Sequence, residues 1–534
     1  MNEKIIEFSK KYSKILIVLF FLFLYLFGLF HLKNVGINYD EIDEKKILKM
    51  NDYAIQKVIN SEGDVVKYYD SQNLMPIYDS VERDHGIAMY YPFIPFLNLD
   101  KISNHTLSFA WHFYTFTLYF IGIIFFYCLI KELWHSKKLA LLLTLMLFFT
   151  PRLFGDSLYN NKDGILLGLT IVQLYYGFRF IKNKTFKEGI GLGVASAFAC
   201  NLKISGFFTF GLIGLFYLMD LTKNRQWTKK HFLVGLLSIL ICFGLFIIIT
   251  PAIWANGLHL IDYFSWSLQN SVRFSRNWGR VYFEHELFEH GTHPLPWYYL
   301  PKIICLTLPI YILVLFITSL ILKFNNYRKN KGKEPFLLLA LILLFFPIFV
   351  ACVSNPNIYN GWRHFYFLYV PFLIIISYGL HILMNSKYKK SFFLGVLFFV
   401  FINMIGIIKN DTYSSVYYNV LARNAGENYE MDYYGVTATK ALKELSDRES
   451  TPLYVYGFRA WALELNYMFM EKVYQDKIVI IKDDEELKTL IEKGIKPYYF
   501  HSETYDHGTK ERVENKEKVY DIKAFGHIIA SIYK

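Results

Sequence analysis

Charge is scarce in this chain of 534 residues: Lys, Arg, Asp and Glu together make up 19%, against about a quarter in soluble domains. Cysteine is scarcer. The five cysteines, Cys128, Cys200, Cys242, Cys305 and Cys352, all lie inside apolar runs, and none forms a CxxC pair. A disulfide framework or zinc knuckle is thereby excluded, and the cysteines read as buried small hydrophobes. There is no P-loop and no dinucleotide fingerprint, so the chemistry uses no soluble nucleotide through those motifs. No buried charge lies well inside an expected helix, as a proton relay or ion-coupled transporter needs. Tandem repeats and low-complexity segments are also lacking.

Apolar residues are abundant. They account for 54% of the chain, and aromatics for 19%, which excludes an intrinsically disordered protein. Runs such as Ile15 to Phe30 and Leu337 to Cys352 have the length and composition of transmembrane helices. Eleven spans are expected, beginning near Ile15, Leu107, Leu139, Gly164, Gly189, Ile204, Phe232, Tyr299, Phe336, His364 and Phe392. The first follows Lys10, Lys11 and Lys14 like a signal peptide. Its apolar run is too long for one, so it reads as an uncleaved first helix.

The formal net charge of +12 is sorted along the chain. With the N-terminus in the cytoplasm, the inner segments are residues 1–14, 131–138, 179–188, 220–231, 323–335 and 385–391. They carry 23 Lys/Arg and 6 Asp/Glu, a net of +17, and everything else nets −5. This is the positive-inside pattern. It requires the apolar stretch Gly189 to Leu221 to break at Lys203 into two short spans, because a single span would put KNRQWTKKH outside. The basic balance is a topological signal and not the mark of a nucleic-acid partner.

The expected fold is a polytopic α-helical membrane module over residues 1–408, followed by a small outward-facing α/β domain over 409–534. Two further outer pieces are the loop 33–106, the candidate catalytic loop, and the loop 252–298, read as amphipathic. The tail alternates strand-like runs (PLYVYGF, KIVIIK, KPYYFH, KVYDIKAFGHIIASIY) with helical stretches (ATKALKELS, DEELKTLIEKG).

Candidate functional residues cluster at the outer ends of the spans. Asp40 and Glu41 follow the first span, where a carboxylate either serves chemistry or simply opens a solvated acidic loop. The short turn Thr150 to Gly164 holds Arg152, Asp156, Asn160, Asn161, Lys162 and Asp163. Pro151 ends or kinks the third helix, and Asp163 suits a helix start. Lys203, in NLKISG, is either a snorkelling lysine or a phosphate contact. Arg363 and His364, in WRHFYFLYVP, either anchor the interface or grip a phosphate. Arg273, Arg276 and Arg280 are spaced for one face of a helix lying on the membrane, with Trp266, Phe274 and Trp278 interleaved. His285, His290 and His293 with Glu286 and Glu289 offer a loosely spaced metal set.

The combined pattern resembles the GT-C membrane glycosyltransferases, in particular the protein-mannosyltransferase-like group (glycosyltransferase family 39, with the aminoarabinose transferases). The features that carry it are Asp40-Glu41 after the first helix, NNKDG with Asp163 opening the fourth, LKISG after the fifth, and WRHFYFLYVP at a late helix. The tail piece VYYNVLARNAGENYEMDYYG also looks like bacterial members. The group's His-Pro-Pro-like step in the first loop is missing. ERDHGIAMYYPFIP stands there and offers Arg83 and His85.

The resemblance implies transfer of a sugar from a polyprenyl-phosphate carrier to a hydroxyl acceptor on the outer face, with inversion. Asp40 would be the general base, with Glu41 and Asp163 as its catalytic companions. Lys203, Arg363 and His364, then Arg83, Lys162 and Arg276, would meet the donor phosphate. Asp156 and Asn161 would support them or touch the acceptor. No cofactor is required, although Asp40, Glu41 and Asp163 are able to hold a divalent metal. The expected partners are the lipid-linked donor, a protein, lipid or glycan acceptor, and membrane lipids, with no nucleic acid. The implied location is a bacterial inner membrane. A transporter or flippase of the lipid-linked sugar is the alternative, and a non-catalytic envelope scaffold is a third reading.

Overall fold

The computed structural model describes residues 13–97, 102–273, 280–289, 292–330, 334–354, 356, 358, 361–449, 452–457, 460–502 and 513–534. Each expected span is helical. The helices are α1 (Ser13–Leu32), α3 (Asn104–Trp134), α4 (Lys137–Phe148), α6 (Asp163–Asn183), α7 (Phe186–Leu202), α8 (Ser205–Lys223), α9 (Lys229–Ile248), α11 (Tyr299–Thr307) with α12 (Ile310–Asn330), α13 (Pro335–Ser354), α14 (Tyr369–Met384, entered by a 3-10 turn Arg363–Leu368) and α15 (Lys389–Asn410). Eight of these segments are individually long and apolar enough to cross a membrane, and two bent pairs raise the number to as many as ten. The expected eleventh, α7, has 17 residues.

The bends fall where the sequence breaks hydrogen bonding. Between α4 and α5 (Pro151–Ser157) the chain turns by 71°, with Pro151 opening the second piece. The break between α7 and α8 lies at Lys203, as the charge sorting required. Glycine permits a close approach of two helices: a Cβ at Gly122 on α3 would stand 2.5 Å from Cα of Gly168 on α6. Exposed side chains on α9 and α15, such as Phe232, Leu240, Leu394 and Phe398, have the character of a lipid-facing surface. The first and last spans are joined, because Asp411 accepts from His31 Nδ1 at 2.5 Å and from Asn34 Nδ2 at 2.6 Å.

The structure bears on three expectations. The first outer piece, read as the loop 33–106, is helical near its start. Asp40 opens the 20-residue helix α2 (Asp40–Ile59), whose first turn holds Asp40, Glu41 and Asp43, acids that suit a helix N-terminus. Second, Arg273, Arg276 and Arg280 do not share a helix. The described part of helix α10 is Leu260–Arg273, and Arg280 begins a two-stranded hairpin, β1 (Arg280–Phe283) with β2 (Glu286–Glu289). Arg276 and His290 lie outside the described residues. Third, the boundary expected at 409 falls next to the end of α15 at Asn410; beyond it the Tyr417 carbonyl accepts from Arg152, and Asn419 donates to the carbonyls of Cys305 and Leu308.

The α/β domain begins at α16 (Thr437–Arg448). Its sheet has the order β4-β3-β5-β7-β6, formed by β3 (Leu453–Gly457), β4 (Ile478–Ile481), β5 (Tyr498–Ser502), β6 (Lys518–Ala524) and β7 (His527–Tyr533). The first three pair in parallel, and β7 is antiparallel to both β5 and β6. Helix α17 (Ala460–Phe469) connects β3 to β4, and α18 (Asp484–Glu492) connects β4 to β5. The last apolar run folds as a hairpin because Phe525 and Gly526 both take positive φ, as a tight two-residue turn requires.

Candidate active site

One end of the bundle collects the charged residues. Asp40 follows the end of α1, Asp163 begins α6, Lys203 follows α7, and Arg363 leads into α14. Arg363 donates one guanidinium nitrogen to Asp40 Oδ2 at 2.6 Å and to the Tyr434 hydroxyl at 2.9 Å. Tyr434 also accepts from Asn160 Nδ2 at 2.6 Å, and Asn160 donates to Asp163 Oδ2 at 3.1 Å. Asp163 Oδ1 accepts from Lys203 Nζ at 2.5 Å, and Lys203 lies 3.0 Å from His364 Nδ1. A single polar chain therefore runs Asp40, Arg363, Tyr434, Asn160, Asp163, Lys203, His364. Carboxylates and cations alternate along it, so each ion is held by an opposite charge or a fixed dipole in a poorly solvated place. Asp40 is its accessible carboxylate, with 39% of its side chain exposed against 3% for Asp163.

Glu41 faces elsewhere. Consecutive helical residues point in directions about 100° apart, and its carboxylate enters a closed pocket. It accepts from Lys45 Nζ at 2.5 Å and Ser108 Oγ at 2.7 Å, and lies 2.7 Å from His112 Nε2. Burial alone would raise its pKa, but Lys45 and His112 outweigh that and lower it to about 2. Glu41 thus stays ionised and anchors the first turn of α2.

Lys162 pairs with Glu44 at 2.5 Å. Burial disfavours its charge, and the Glu44 carboxylate more than offsets this, so its pKa is raised. Asp156 lies in a cage of tyrosine hydroxyls. Tyr366 donates to it in a short bond, with Tyr159 at 3.2 Å and Tyr433 at 3.4 Å. Asn161 is buried, and its amide nitrogen has no partner among the described residues. Arg83 stands apart from the polar chain. Its guanidinium lies 3.9 Å from the Trp266 ring centroid, and neighbouring Asp84 accepts from Trp266 and Asn270. These contacts join the first outer piece to α10.

Among the described residues, no group of three or more His, Cys, Asp or Glu is placed to hold a metal ion. His293 pairs with Glu286 at 3.5 Å on an exposed surface. Asp40, Glu41 and Asp163 each face a different cation. The residues that sequence reasoning missed are Tyr434 in the polar chain, Tyr366 and Tyr433 around Asp156, and Lys45 and His112 around Glu41; Asn160 stood in the candidate turn without a role of its own. The signal for Tyr433 and Tyr434 was MDYYG, two tyrosines beside an aspartate at the edge of the membrane module, whereas Tyr366 lies in WRHFYFLYVP.

Residues 99–254 match the family model of dolichyl-phosphate-mannose-protein mannosyltransferase. The matched stretch contains Asp163 and Lys203, and the protein-mannosyltransferase-like resemblance of the sequence is borne out. No curated protein sequence matches the chain. Among solved structures, ArnT from Cupriavidus metallidurans in the apo state is similar at 11% identity and a TM-score of 0.46, covering 97% of this chain and 98% of ArnT. The same ArnT bound to undecaprenyl phosphate gives 11% identity and a TM-score of 0.44, with 97% of each chain covered. Arabinosyltransferase EmbB from Mycobacterium smegmatis is similar at 12% identity and a TM-score of 0.41, over 71% of this chain and 32% of EmbB.

Proposed function

We propose that this protein is an integral membrane glycosyltransferase that moves a sugar from a polyprenyl-phosphate carrier to a hydroxyl acceptor, with inversion at the anomeric carbon. The observation that carries the reading is the polar chain from Asp40 to His364. It offers one accessible carboxylate beside fixed cations at the mouth of an apolar bundle. The family match over residues 99–254 supports a lipid-phosphate-linked donor.

The chemistry follows from those groups. Asp40 takes the acceptor hydroxyl proton as the acceptor oxygen bonds to the anomeric carbon. The bond from that carbon to the phosphate oxygen breaks, and its electron pair leaves with the phosphate. Lys203 and Arg363, with Lys162 close by, meet the charge that develops there. His364 holds the lysine in place. Asp163 holds Lys203 and orients Asn160, and through it Tyr434. The apolar bundle receives the lipid tail. The scheme draws its positive charge from these side chains and takes no cofactor.

The positive-inside sorting supports an N-terminus in the cytoplasm, with the site and the α/β domain on the outer face of the membrane. The acceptor is a protein, lipid or glycan hydroxyl reached from that side. The test supplies labelled polyprenyl-phosphate sugar to membranes bearing the wild-type protein or D40N. The reading expects label to pass to an acceptor with the wild type and to stall with D40N. Undiminished transfer by a normally expressed D40N protein overturns Asp40 as the base. Translocation of intact donor by the wild type without turnover overturns the transferase.

A further inference from the structure

We propose that Asn466, in the α/β domain, is a positioning residue for sugar transfer: it holds the segment leading to Asp40 and the turn leaving Tyr434 at one spacing. The C-terminal domain thereby becomes a working part of the active site. The inference rests on the glycosyltransferase reading above.

Asn466 sits on α17 and is 1% exposed. Its Oδ1 accepts from the Ile37 backbone N–H at 2.9 Å and from the Thr439 hydroxyl. Its Nδ2 donates to the Gly435 carbonyl at 3.1 Å and to the Ala462 carbonyl, one turn back on its own helix, at 2.8 Å. A primary amide has two donors and two acceptor sites, so every capacity is used. A buried amide this fully committed fixes its neighbours, because releasing any one of them leaves a polar group unpaired away from water.

The neighbours are the relevant ones. Ile37 lies three residues before Asp40, and Gly435 immediately follows Tyr434. The two segments also touch directly, with the Tyr39 N–H donating to the Tyr434 carbonyl at 3.2 Å. Nothing larger than glycine fits at Gly36, where a Cβ would lie 2.4 Å from the Val436 carbonyl oxygen and 2.8 Å from Asn466 Oδ1. Asp432 fixes the far side of the turn by accepting from the Thr437 N–H at 2.7 Å and its hydroxyl at 2.6 Å. Three residues beyond Asn466 along α17, the Lys45 ammonium lies 5.0 Å from the Phe469 ring centroid while it pairs with Glu41.

The spacing matters because a single nitrogen of Arg363 serves both Asp40 and Tyr434. If the two segments slide apart, that nitrogen keeps one partner and loses the other. Misplacement of a reacting group by about 1 Å costs on the order of 100-fold in rate.

The experiment uses the full-length protein in lipid nanodiscs, comparing wild type, N466A, N466D and a control, L445A. Leu445 is a buried residue of the same domain on α16. Thermal unfolding, kcat and donor KM, and hydrogen exchange of the peptide 36–45 are measured. For N466A the expectation is a fall in kcat of about 10- to 100-fold per folded molecule, an unchanged donor KM and faster exchange at residues 37–41. N466D keeps the oxygen that Ile37 and Thr439 need, and regains part of the lost rate. L445A lowers the unfolding temperature but keeps kcat per folded molecule. A wild-type kcat in N466A, a loss that only follows its folded fraction, or unchanged exchange at 37–41 overturns the proposal. Absence of sugar transfer by the wild type would sink the glycosyltransferase reading instead, and the exchange data would still report whether Asn466 holds the segment.

Discussion

Arg363 reaches the carboxylate of Asp40 across 2.6 Å, although 323 positions separate the two in the chain. The arginine side chain is 7% exposed and the aspartate 39%, so a buried cation orients an accessible carboxylate. D40N keeps the shape and removes the base. Transfer should fall by about 10²- to 10⁴-fold with expression and donor binding preserved. Turnover of labelled donor, alongside a binding measurement with polyprenyl phosphate, checks both halves.

Arg363 has a second test in R363K. Lysine keeps the charge but is a point donor without the planar fork, so it cannot reproduce the orientation that links Asp40 to Tyr434. The expected loss in kcat/KM is about 10- to 100-fold, equivalent to ~1.4–3 kcal/mol of charge-assisted hydrogen bonding. Full activity in R363K would show that charge alone matters at this position.

Tyr434 accepts hydrogen bonds from Arg363 and Asn160, and Y434F deletes both acceptor positions with little change in shape. A buried guanidinium and a buried amide then each lose a partner, at about 1–3 kcal/mol apiece. Reduced kcat together with a lower unfolding temperature is the expected outcome. Steady-state kinetics and thermal unfolding on the same preparation measure it.

Glu41 makes the pH-dependent prediction. Folding lowers its pKa from 4.5 to about 2, so between those values the native state binds fewer protons than the unfolded chain. Its contribution to stability is whole above pH 4.5 and is lost as pH falls toward 2. Wild type should exceed E41Q by roughly 3 kcal/mol at neutral pH, with the gap narrowing below pH 4.5. Denaturant unfolding of both proteins at pH 7 and pH 3 tests this, and a gap of constant size would mean that Glu41 is not held ionised by Lys45 and His112.

Topology is open to labelling. A single reporter cysteine in the basic segment 220–231 should resist an impermeant reagent in intact cells, and one at Lys534 should react, each in a background without the native cysteines. The reverse pattern would invert the bundle and place Asp40 in the cytoplasm.

Much of the site was legible because charge is rare here. Asp40, Asp163, Lys203 and Arg363 stand at the ends of long apolar runs, so each was conspicuous on its own. Tyr434 was not, being one of 42 tyrosines, and its role exists only because folding brings residue 434 beside residues 160 and 363. Glu41 was read as a partner of Asp40 because they are adjacent in sequence. Once α2 is a helix, adjacency sends the two carboxylates in different directions. The arginine series from 273 to 280 failed for a related reason: spacings of three and four fit a helix, but the run Arg280–Phe283 pairs as a strand, and so short a segment does not decide between the two. The span boundaries were legible because hydropathy and loop charge constrain them independently.

The pair formed by His31 and Asp411 ties the beginning of the membrane module to its end, 380 positions later. A chain emerging from the ribosome inserts Asp40 early, long before Arg363, Tyr434 and Asn466 have been made. A chain synthesised only as far as residue 362 carries Asp40 without the Arg363 that pairs with it. The Asp40–Arg363–Tyr434 contacts close only once residue 434 has been made, so on the reading proposed above a shorter chain carries Asp40 without the groups that orient it.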